Sequence, residues 1–312
     1  MITTYSMSIK HERWPLKKPF TISRGTKNNA DVIIVEIKTN TGLIGRAECV
    51  PYLRYNETIN RVIKQLEGYA QLINENCSRT FLSKTIPAGA ARNALDCALW
   101  DLEAKRTHKR VWELANIASS RSPYLSSVTI DIDSLEVLAE RAKELSNLPL
   151  LKIKLGSDNI ITSIATIREN APRSRLIVDA NESWTFEILH SVAEPLANLG
   201  VELIEQPLPA DNDGALLTYR SPVPLCADES CHTSEDLNKL KGKYQFINIK
   251  LDKSGGLTEA LLLAQNAPRA GFKTMVGCMV GTSLSIAPAT IIGEYAEFVD
   301  LDGALHLKQD RE

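Results

Sequence analysis

The sequence predicts an α/β protein, a (β/α)8-type barrel preceded by a smaller α+β unit, and three observations lead there. After about residue 120 the chain carries eight short apolar runs separated by helix-length segments. That alternation favours a parallel sheet, and eight units favour a closed barrel over an open doubly wound sheet. Before residue 120, strand patterns and helix patterns come in separate blocks, the mark of an α+β unit. No G-x-G-x-x-G opens a helix after a strand, which weighs against an open dinucleotide-binding sheet.

The N-terminal unit spans residues 1–120. Its stretch DVIIVEI (31–37) reads as a strand running into NTGLIG, whose Gly42 suits a hairpin turn. Helical periodicity follows from Glu57 to Ile73, and again through ARNALDCALWDLEAK (91–105), which puts Leu95, Leu99 and Leu102 on one side. The polar stretch SSRSPY (119–124) marks the change of rhythm. Residues 121–312 then form the barrel, with LSSVTIDI, PLLKIKL, RLIVDA, VELIEQ, VPLCADE, FINIKL, FKTMVG and EFVDLD as its strands in order.

Composition narrows the partners. The chain has 312 residues, 44% of them hydrophobic, enough for a sizeable core. A formal net charge of −2 gives no electrostatic reason to expect nucleic acid or an anionic membrane. The start, MITTYSMSIKHERW, has no apolar targeting core, and no stretch is long and apolar enough to span a bilayer, so a cytoplasmic location is expected. The six cysteines (Cys49, Cys77, Cys97, Cys226, Cys231, Cys278) show no secreted-type framework and read as reduced thiols. CADESCH, with Cys226, Cys231 and His232, lacks a zinc-ligand spacing. A small-molecule substrate is the expected partner, and a homo-oligomer is open.

In a barrel of this kind the active site lies at the C-terminal ends of the strands. Successive runs end in charge: Lys152 and Lys154, then Asp179, Glu205, Asp228 with Glu229, and Lys250. One such residue could be an ordinary strand exit, but five in a row call for a common purpose. Strands two and six are four apart in eight, so Lys154 and Lys250 should project from opposite walls. Asp179, Glu205 and Asp228 lie on the arc between and would repel one another without a cation; their hard oxygens suit one Mg2+. Such a site can remove a proton α to a carboxylate and return one to the other face, inverting the carbon through an enediolate. Asn181 and Glu229 would orient the ligands, although Asn181 could instead cap the next helix.

LKIKLG (151–156) sharpens the point. On a strand Lys152 and Lys154 share a face, roughly 6.7 Å apart. At an effective dielectric of about 20 they would repel by about 2.5 kcal/mol, enough to lower one lysine by nearly two units from about 10.4. That predicts a Lys154 prepared for general-base work with Lys152 beside it. The alternative is a solvated edge strand.

The motifs K-x-K (152–154), D-A-N (179–181), E-Q-P (205–207), A-D-E-S (227–230) and N-I-K (248–250) resemble the enolase superfamily, in its muconate-lactonizing subgroup. A lysine base working with Mg2+ is characteristic of that superfamily. The resemblance implies a (β/α)7β barrel and makes the first 120 residues a capping domain, whose loops close over the barrel mouth. Within the superfamily, PFTISRGTKNNADVIIVEI, ECVPYLRYNET, PAGAARNALDCALWDLEAKR, IVDANESW, CADESCHT and NIKLDKSGGLTEA are most similar to the dipeptide epimerases.

That likeness implies inversion of the C-terminal residue of L-Ala-L-Glu or a close relative, in recycling of cell-wall peptides. The marker is D-x-D at the end of the last strand, here Asp300 and Asp302, a receptor for the dipeptide's ammonium group. A lone D-x-D could also be a solvated strand exit. Arg24, in SRGTK, matches the binder of the substrate's glutamate side chain, for which a guanidinium is suited, or is a surface arginine. Ser127 and Cys278 match substrate-lining positions, with plain packing as the alternative. The segment after Asp302 is shorter than the family usually has. It ends in HLKQDRE, which is charged and expected not to bury, and that puts closure of the cap in question.

Three other readings stay open. An o-succinylbenzoate synthase or muconate cycloisomerase would share the acids and lysines but has no need of Asp300 and Asp302. Lys250 could be the Schiff-base lysine of an aldolase. A barrel that only binds a metal or a partner would need no lysine base. SGG (254–256) reads as a turn admitting substrate, or as a phosphate cradle.

Overall fold

A computed structural model describes residues 4–22, 25–73, 77–117 and 124–312. Arg24 and most of SSRSPY lie outside the described residues. The N-terminal part holds a three-stranded antiparallel sheet of β1 (Tyr5–Ile22), β2 (Gly25–Thr39) and β3 (Ile44–Cys49). Strand β1 alternates half-buried and exposed from Tyr5 to Ile9, and its register against β2 shifts between Pro15 and Phe20. Gly42 takes a left-handed φ of 89° in the β2–β3 turn.

Helices α1 (Ile59–Tyr69), α2 (Arg79–Thr85), α3 (Ala90–Thr107) and α4 (Val111–Leu114) follow. Thr58 caps α1 through the Arg61 amide, so the helix starts two residues later than the periodicity suggests. Helix α3 is buried along most of its length, because it packs on the sheet on one side and on the second part of the chain on the other.

Eight parallel strands make the second part: β4 (Val128–Ile130), β5 (Leu150–Lys154), β6 (Arg175–Asp179), β7 (Val201–Glu205), β8 (Leu225–Ala227), β9 (Phe246–Ile249), β10 (Lys273–Gly277) and β11 (Phe298–Asp300). They are hydrogen-bonded in chain order, and a parallel bridge from Ser126 to Val299 draws the first strand against the last. Each of the eight apolar runs in the sequence contains one of them. Between them lie α5 (Leu135–Glu144), α6 (Ile160–Asn170), α7 (Phe186–Asn198), α8 (Leu237–Leu240), α9 (Leu251–Ser254), α10 (Leu257–Asn266) and α11 (Ser283–Ala289). The β7–β8 connection carries a 3-10 turn instead of a helix.

The strand period of two separates the walls of this barrel. Leu151, Ile153, Val178 and Ile204 join the core shared with the helices. Leu150, Ile177, Leu203, Cys226, Phe246, Met275 and Phe298 close the interior as one apolar layer. Two residues further along the same strands, the inward positions become Lys152, Asp179, Glu205, Asp228, Asn248 and Asp300. The charged mouth therefore rests on an apolar plug.

The two parts are tied together at several points. Asp96 of α3 accepts from the amide (2.9 Å) and hydroxyl (2.5 Å) of Thr258, and Arg92 donates to the Ser254 and Gly255 carbonyls. This corrects the reading of SGG. Gly255 and Gly256 have φ of 77° and 112°, and a Cβ on either would lie 2.3 Å from Arg92 Nε or 2.5 Å from Asp96 Cβ. The turn docks on α3, and Ser254, Gly255 and Gly256 are not among the described residues that line the cavity described below.

The chain end is largely exposed, as its charge implies, yet it is tied to the first sheet. Leu307 is buried and bridges Leu16, the Lys308 amide donates to Pro15 O, and Arg311 reaches Glu12 and Glu48 of the first sheet. Within HLKQDRE only Leu307 is buried, and Lys308, Gln309 and Glu312 are exposed; the segment is held to the first sheet by Leu307 and by the ion pairs of Arg311.

Candidate active site and metal centre

Register builds the centre of the site. Lys154 pairs with Asp179 across β5 and β6, and Asp179 with Glu205 across β6 and β7, so the three share one row of the ladder. Asp228 follows β8 by one residue and Lys250 follows β9 by one. Asp179, Glu205 and Asp228 are buried and each offers one carboxylate oxygen within 4.8 Å of the other two. Among the described residues no other group of His, Cys, Asp and Glu is placed to hold a metal ion. Cys226 lies in the apolar plug, away from any such set.

Four ammonium groups surround these acids. Lys154 Nζ lies 2.5 Å from Asp179 Oδ2 and Lys250 Nζ 2.6 Å from Asp228 Oδ2. Lys152 Nζ touches Asp179 (3.1 Å), Glu205 (2.6 Å) and Asp300 (2.7 Å). Lys253, from α9, lies 2.6 Å from Asp228 Oδ1 and donates to the carbonyls of Asp228, Cys231 (2.8 Å) and Asn248 (2.9 Å). The repulsion expected between Lys152 and Lys154 is therefore offset by Asp179, whose Oδ2 both approach.

Burial works to lower the Lys152 ammonium, but Asp300, Glu205 and Asp179 outweigh it and raise the group well above an ordinary lysine. Lys250 is raised in the same way, burial being outweighed by Asp228 and Glu205. Burial likewise works against the Asp179 and Asp228 carboxylates, yet lysines hold both well below the usual range. Glu205 goes the other way: burial and the Asp179 charge push it up to about 8.

The donor set fits a hard divalent cation. Glu205 Oε2 and Asp228 Oδ1 are buried and outside hydrogen-bond geometry, although each lies at ion-pair distance from a lysine. Three acids kept this close, with two of their oxygens outside hydrogen-bond geometry, make a set of hard oxygen donors of the kind a divalent cation takes.

The supporting residues are held in turn. The Asn181 amide donates to Asp179 Oδ1 (2.9 Å), and its side chain reaches Glu229 at 3.5 Å. It does not cap α7, whose cap is Thr185. Asn248 donates to Glu205 Oε1 at 2.7 Å. Gln206 accepts from the Asp228 and Ser230 amides and donates to Leu208 O, Ser230 Oγ and Tyr244 OH, fixing the loop that carries Asp228. Gly277 leaves the space Lys250 occupies: a Cβ there would lie 2.7 Å from Asn248 Oδ1 and 2.9 Å from Lys250 Cε. The sequence reading assigned no role to Lys253, Gln206 or Asn248. Lys253 and Asn248 stood three positions after and two before Lys250, and only the fold shows where they aim.

A cavity of about 690 Å³ opens above the centre. Lys154, Lys250, Asn181 and Asp228 lie at its floor, Cys278 on its side, and the β1–β2 hairpin and residues 50–59 on its roof. Ser127 is fully buried and gives its hydroxyl to Asp300 Oδ1 (2.7 Å), while Asp300 Oδ2 takes Lys152. Both oxygens of Asp300 are thus engaged in the interior. Asp302 accepts from the Thr129 amide at 2.7 Å. Neither Ser127, Asp300 nor Asp302 is among the described residues that line the cavity.

Two family models match the chain: "Mandelate racemase / muconate lactonizing enzyme, N-terminal domain" over residues 4–115 and "Enolase C-terminal domain-like" over residues 135–307. The chain is 44% identical to the L-Ala-D/L-Glu epimerase of Escherichia coli K12, over 98% of this chain and 96% of that one. It is 46% identical to an N-acetyl-D-glutamate racemase of a Pseudoalteromonas species, over 89% of each. Among solved structures, the dipeptide epimerase of Enterococcus faecalis V583, complexed with Mg and L-Leu-L-Tyr, superposes with a TM-score of 0.91 at 30% identity, covering 99% of this chain and 93% of that one.

Proposed function

The chain belongs to the mandelate racemase and muconate lactonizing enzyme family of the enolase superfamily, and from that membership we propose that it is a Mg2+-dependent epimerase acting on L-Ala-L-Glu or a similar dipeptide. One observation carries the reading. Lys154 and Lys250, on strands four apart in the barrel, each hold a different carboxylate of the same three-acid set. Two proton carriers on opposite sides of one anchoring point are what inversion of a carbon requires.

Asp179, Glu205 and Asp228 would hold the cation, with Asn181, Glu229 and Asn248 orienting them. Mg2+ there supplies Lewis-acid stabilisation for the charge that develops on the substrate carboxylate. Lys154 Nζ takes the α-proton from one face and Lys250 Nζ returns one to the other, with the roles exchanged for the opposite epimer. Asp228 keeps Lys250 charged and so ready to donate. Lys152, fixed by Asp300, keeps positive charge beside the reacting carbon and acts with the two proton carriers. The hairpin and residues 50–59 exclude water from above. Arg24 for the glutamate side chain and Cys278 along the substrate complete the proposed site, with Asp302, and Asp300 held by Ser127 and Lys152, supplying negative charge from behind the wall at the amino end.

A second reading shares this chemistry. N-acetyl-glutamate has the same α-carbon and carboxylate but no ammonium group, and the N-acetyl-D-glutamate racemase matches at 46% identity. The engagement of Asp300 by Ser127 and Lys152 favours weighing it. We place the reaction in the cytoplasm, in recycling of cell-wall peptides; no helix among the described residues is long and apolar enough to cross a membrane.

The test is incubation of L-Ala-L-Glu, and separately N-acetyl-L-glutamate, with protein and Mg2+ in D2O. Exchange of the glutamyl α-hydrogen with appearance of the D-epimer is expected. Absence of exchange with both would remove the proposal, and borohydride trapping on Lys250 would replace it with a Schiff-base lyase.

A further inference from the structure

Next to Asp302 stands a histidine that the site described so far does not use. His306 closes the short turn that begins at Gly303, and its Nε2 lies 3.6 Å from Asp302 Oδ2. That is ion-pair distance, longer than a hydrogen bond. The same oxygen accepts from the Thr129 amide, so Asp302 stands between the first barrel strand and His306. On its other side the His306 ring meets Phe20 edge-on, with centroids 4.8 Å apart at 73°. Phe20 and Cys278 both line the cavity, and a Cβ on Gly303 would lie 3.0 Å from Cys278 Sγ. The turn carrying Asp302 and His306 therefore lies directly behind this part of the cavity wall.

We propose that His306 sets the charge Asp302 presents to the substrate's amino end, and so determines how strongly the site prefers an ammonium-bearing glutamyl substrate over an N-acylated one. The inference rests on the functional reading above. With His306 protonated, Asp302 and His306 form a neutral pair that offers little to an ammonium group and costs an acyl amide nothing. With His306 neutral, Asp302 presents a full negative charge, which favours the ammonium. The acids that act most strongly on His306 are Asp302, Asp131 one residue beyond β4, and Asp300 on β11. Burial alone would lower the imidazole, but Asp302 leads these acids in raising it above an ordinary histidine. Asp302 is lowered in return, burial being outweighed by His306 and Thr129.

The test compares the wild type with His306→Gln, which keeps a neutral donor beside Asp302, from pH 6 to pH 9. The readout is the ratio of kcat/KM for L-Ala-L-Glu to that for N-acetyl-L-glutamate, the latter taken as a competitive inhibitor if it is not turned over. The substrate amine, ordinarily near 7.7–8.0, titrates identically for both proteins and cancels in their comparison. At the acid end the ratio in His306→Gln should exceed wild type by about tenfold, the effect of removing one charge a few ångströms from another. The two proteins should converge at the alkaline end. In parallel, NMR titration of His306 in wild type and Asp302→Asn should show a lower pKa in the variant, a readout that needs no turnover. Equal ratios at every pH, with the wild type active, would overturn this inference alone. A wild type that exchanges neither substrate would remove the functional reading and this inference with it.

Discussion

Arg54 donates two hydrogen bonds to Glu182, from Nε at 2.6 Å and from Nη2 at 2.8 Å, and so ties the roof of the cavity to the loop that follows Asp179. Glu182 also accepts from the Ala210 amide at 2.9 Å, and the neighbouring Tyr55 packs edge-on against His232, 4.5 Å between centroids. The turn at residues 53–55 thus grips the loops after β6 and β8, and Glu182 links the first of these to the loop after β7. A bidentate pair gives geometry as well as energy, but Arg54 is about a third exposed, which screens it. Arg54→Gln should raise KM roughly threefold to tenfold with a smaller change in kcat. A cycle with Glu182→Gln should show the two effects to be shared, whereas additive effects would mean that the pair does not act as a unit.

Under the proposed mechanism, replacement of either flanking lysine should separate the two proton transfers. Lys154→Ala and Lys250→Ala should each lower epimerisation by about a thousandfold or more, within the range for loss of a general base. Each variant should still exchange the α-hydrogen of one epimer with solvent deuterium, and the two should choose opposite epimers. Exchange of the same epimer by both would place the lysines on one side of the carbon.

The three-acid set predicts a stability response to metal. A ligand that binds only the folded state at about a hundred times its Kd adds roughly 2.7 kcal/mol. Melting with and without Mg2+ should therefore show a rise of several degrees that a chelator reverses. Glu205→Gln and Asp228→Asn should fold yet lose the response, while Asp302→Asn should keep it. An unchanged melting curve for the wild type would argue against a metal at this site.

Asp252 predicts the direction of one pH effect. Burial pushes its carboxyl, ordinarily near 3.8, up to about 7, and bonds from the Val50 amide (3.0 Å) and Asn93 (2.8 Å) only partly oppose this. Between those two pH values the folded chain holds a proton that the unfolded chain has released. This group's contribution to stability is therefore greatest at low pH and is lost as pH rises through about 7. Asparagine keeps the acceptor and cannot ionise. The stability of Asp252→Asn relative to wild type should grow by on the order of 2 kcal/mol between pH 5 and pH 8, at about 1.4 kcal/mol per unit. Parallel pH curves in denaturant titrations would contradict it.

The parts of this site that could be read in the sequence are those fixed by strand period. Asp179 and Glu205 close five-residue strands, Asp228 and Lys250 follow theirs by one residue, and the shared register of parallel strands turns those positions into one ring. Lys253 and Gln206 were not legible, because they act sideways from a helix and a loop onto backbone carbonyls and amides. Strand β1 was missed because Pro15, Pro19 and the lysines between them interrupt its alternation. The docking of SGG was not legible because turn chemistry does not reveal which helix the turn meets, and here that helix is α3 of the N-terminal part.

Composition indicates a C-terminal segment that stays largely exposed, as it does, but not the ion pairs that tie it to the first sheet, and these yield the last prediction. Arg311 Nη2 lies 2.7 Å from Glu12 and 2.9 Å from Glu48, its Nε donates to Thr282 Oγ1 at 2.7 Å, and its guanidinium sits 5.0 Å from the Trp14 ring centroid. Glu48 is buried, and Arg311 is the only cation at ion-pair distance from it among the described residues; its other partners are the amide and hydroxyl of Thr282. Removing one partner of a buried pair costs more than the pair contributes, because the charge left behind has no counterion. Arg311→Ala should cost on the order of 2–3 kcal/mol, discounted for the partial exposure of the arginine, and should lower Tm by several degrees. Arg311→Ala combined with Glu48→Gln should recover much of that loss, since the stranded charge is gone. If Arg311→Ala alone is neutral, the seam between the chain end and the first sheet is held by Leu16 and Leu307 and not by this ion pair.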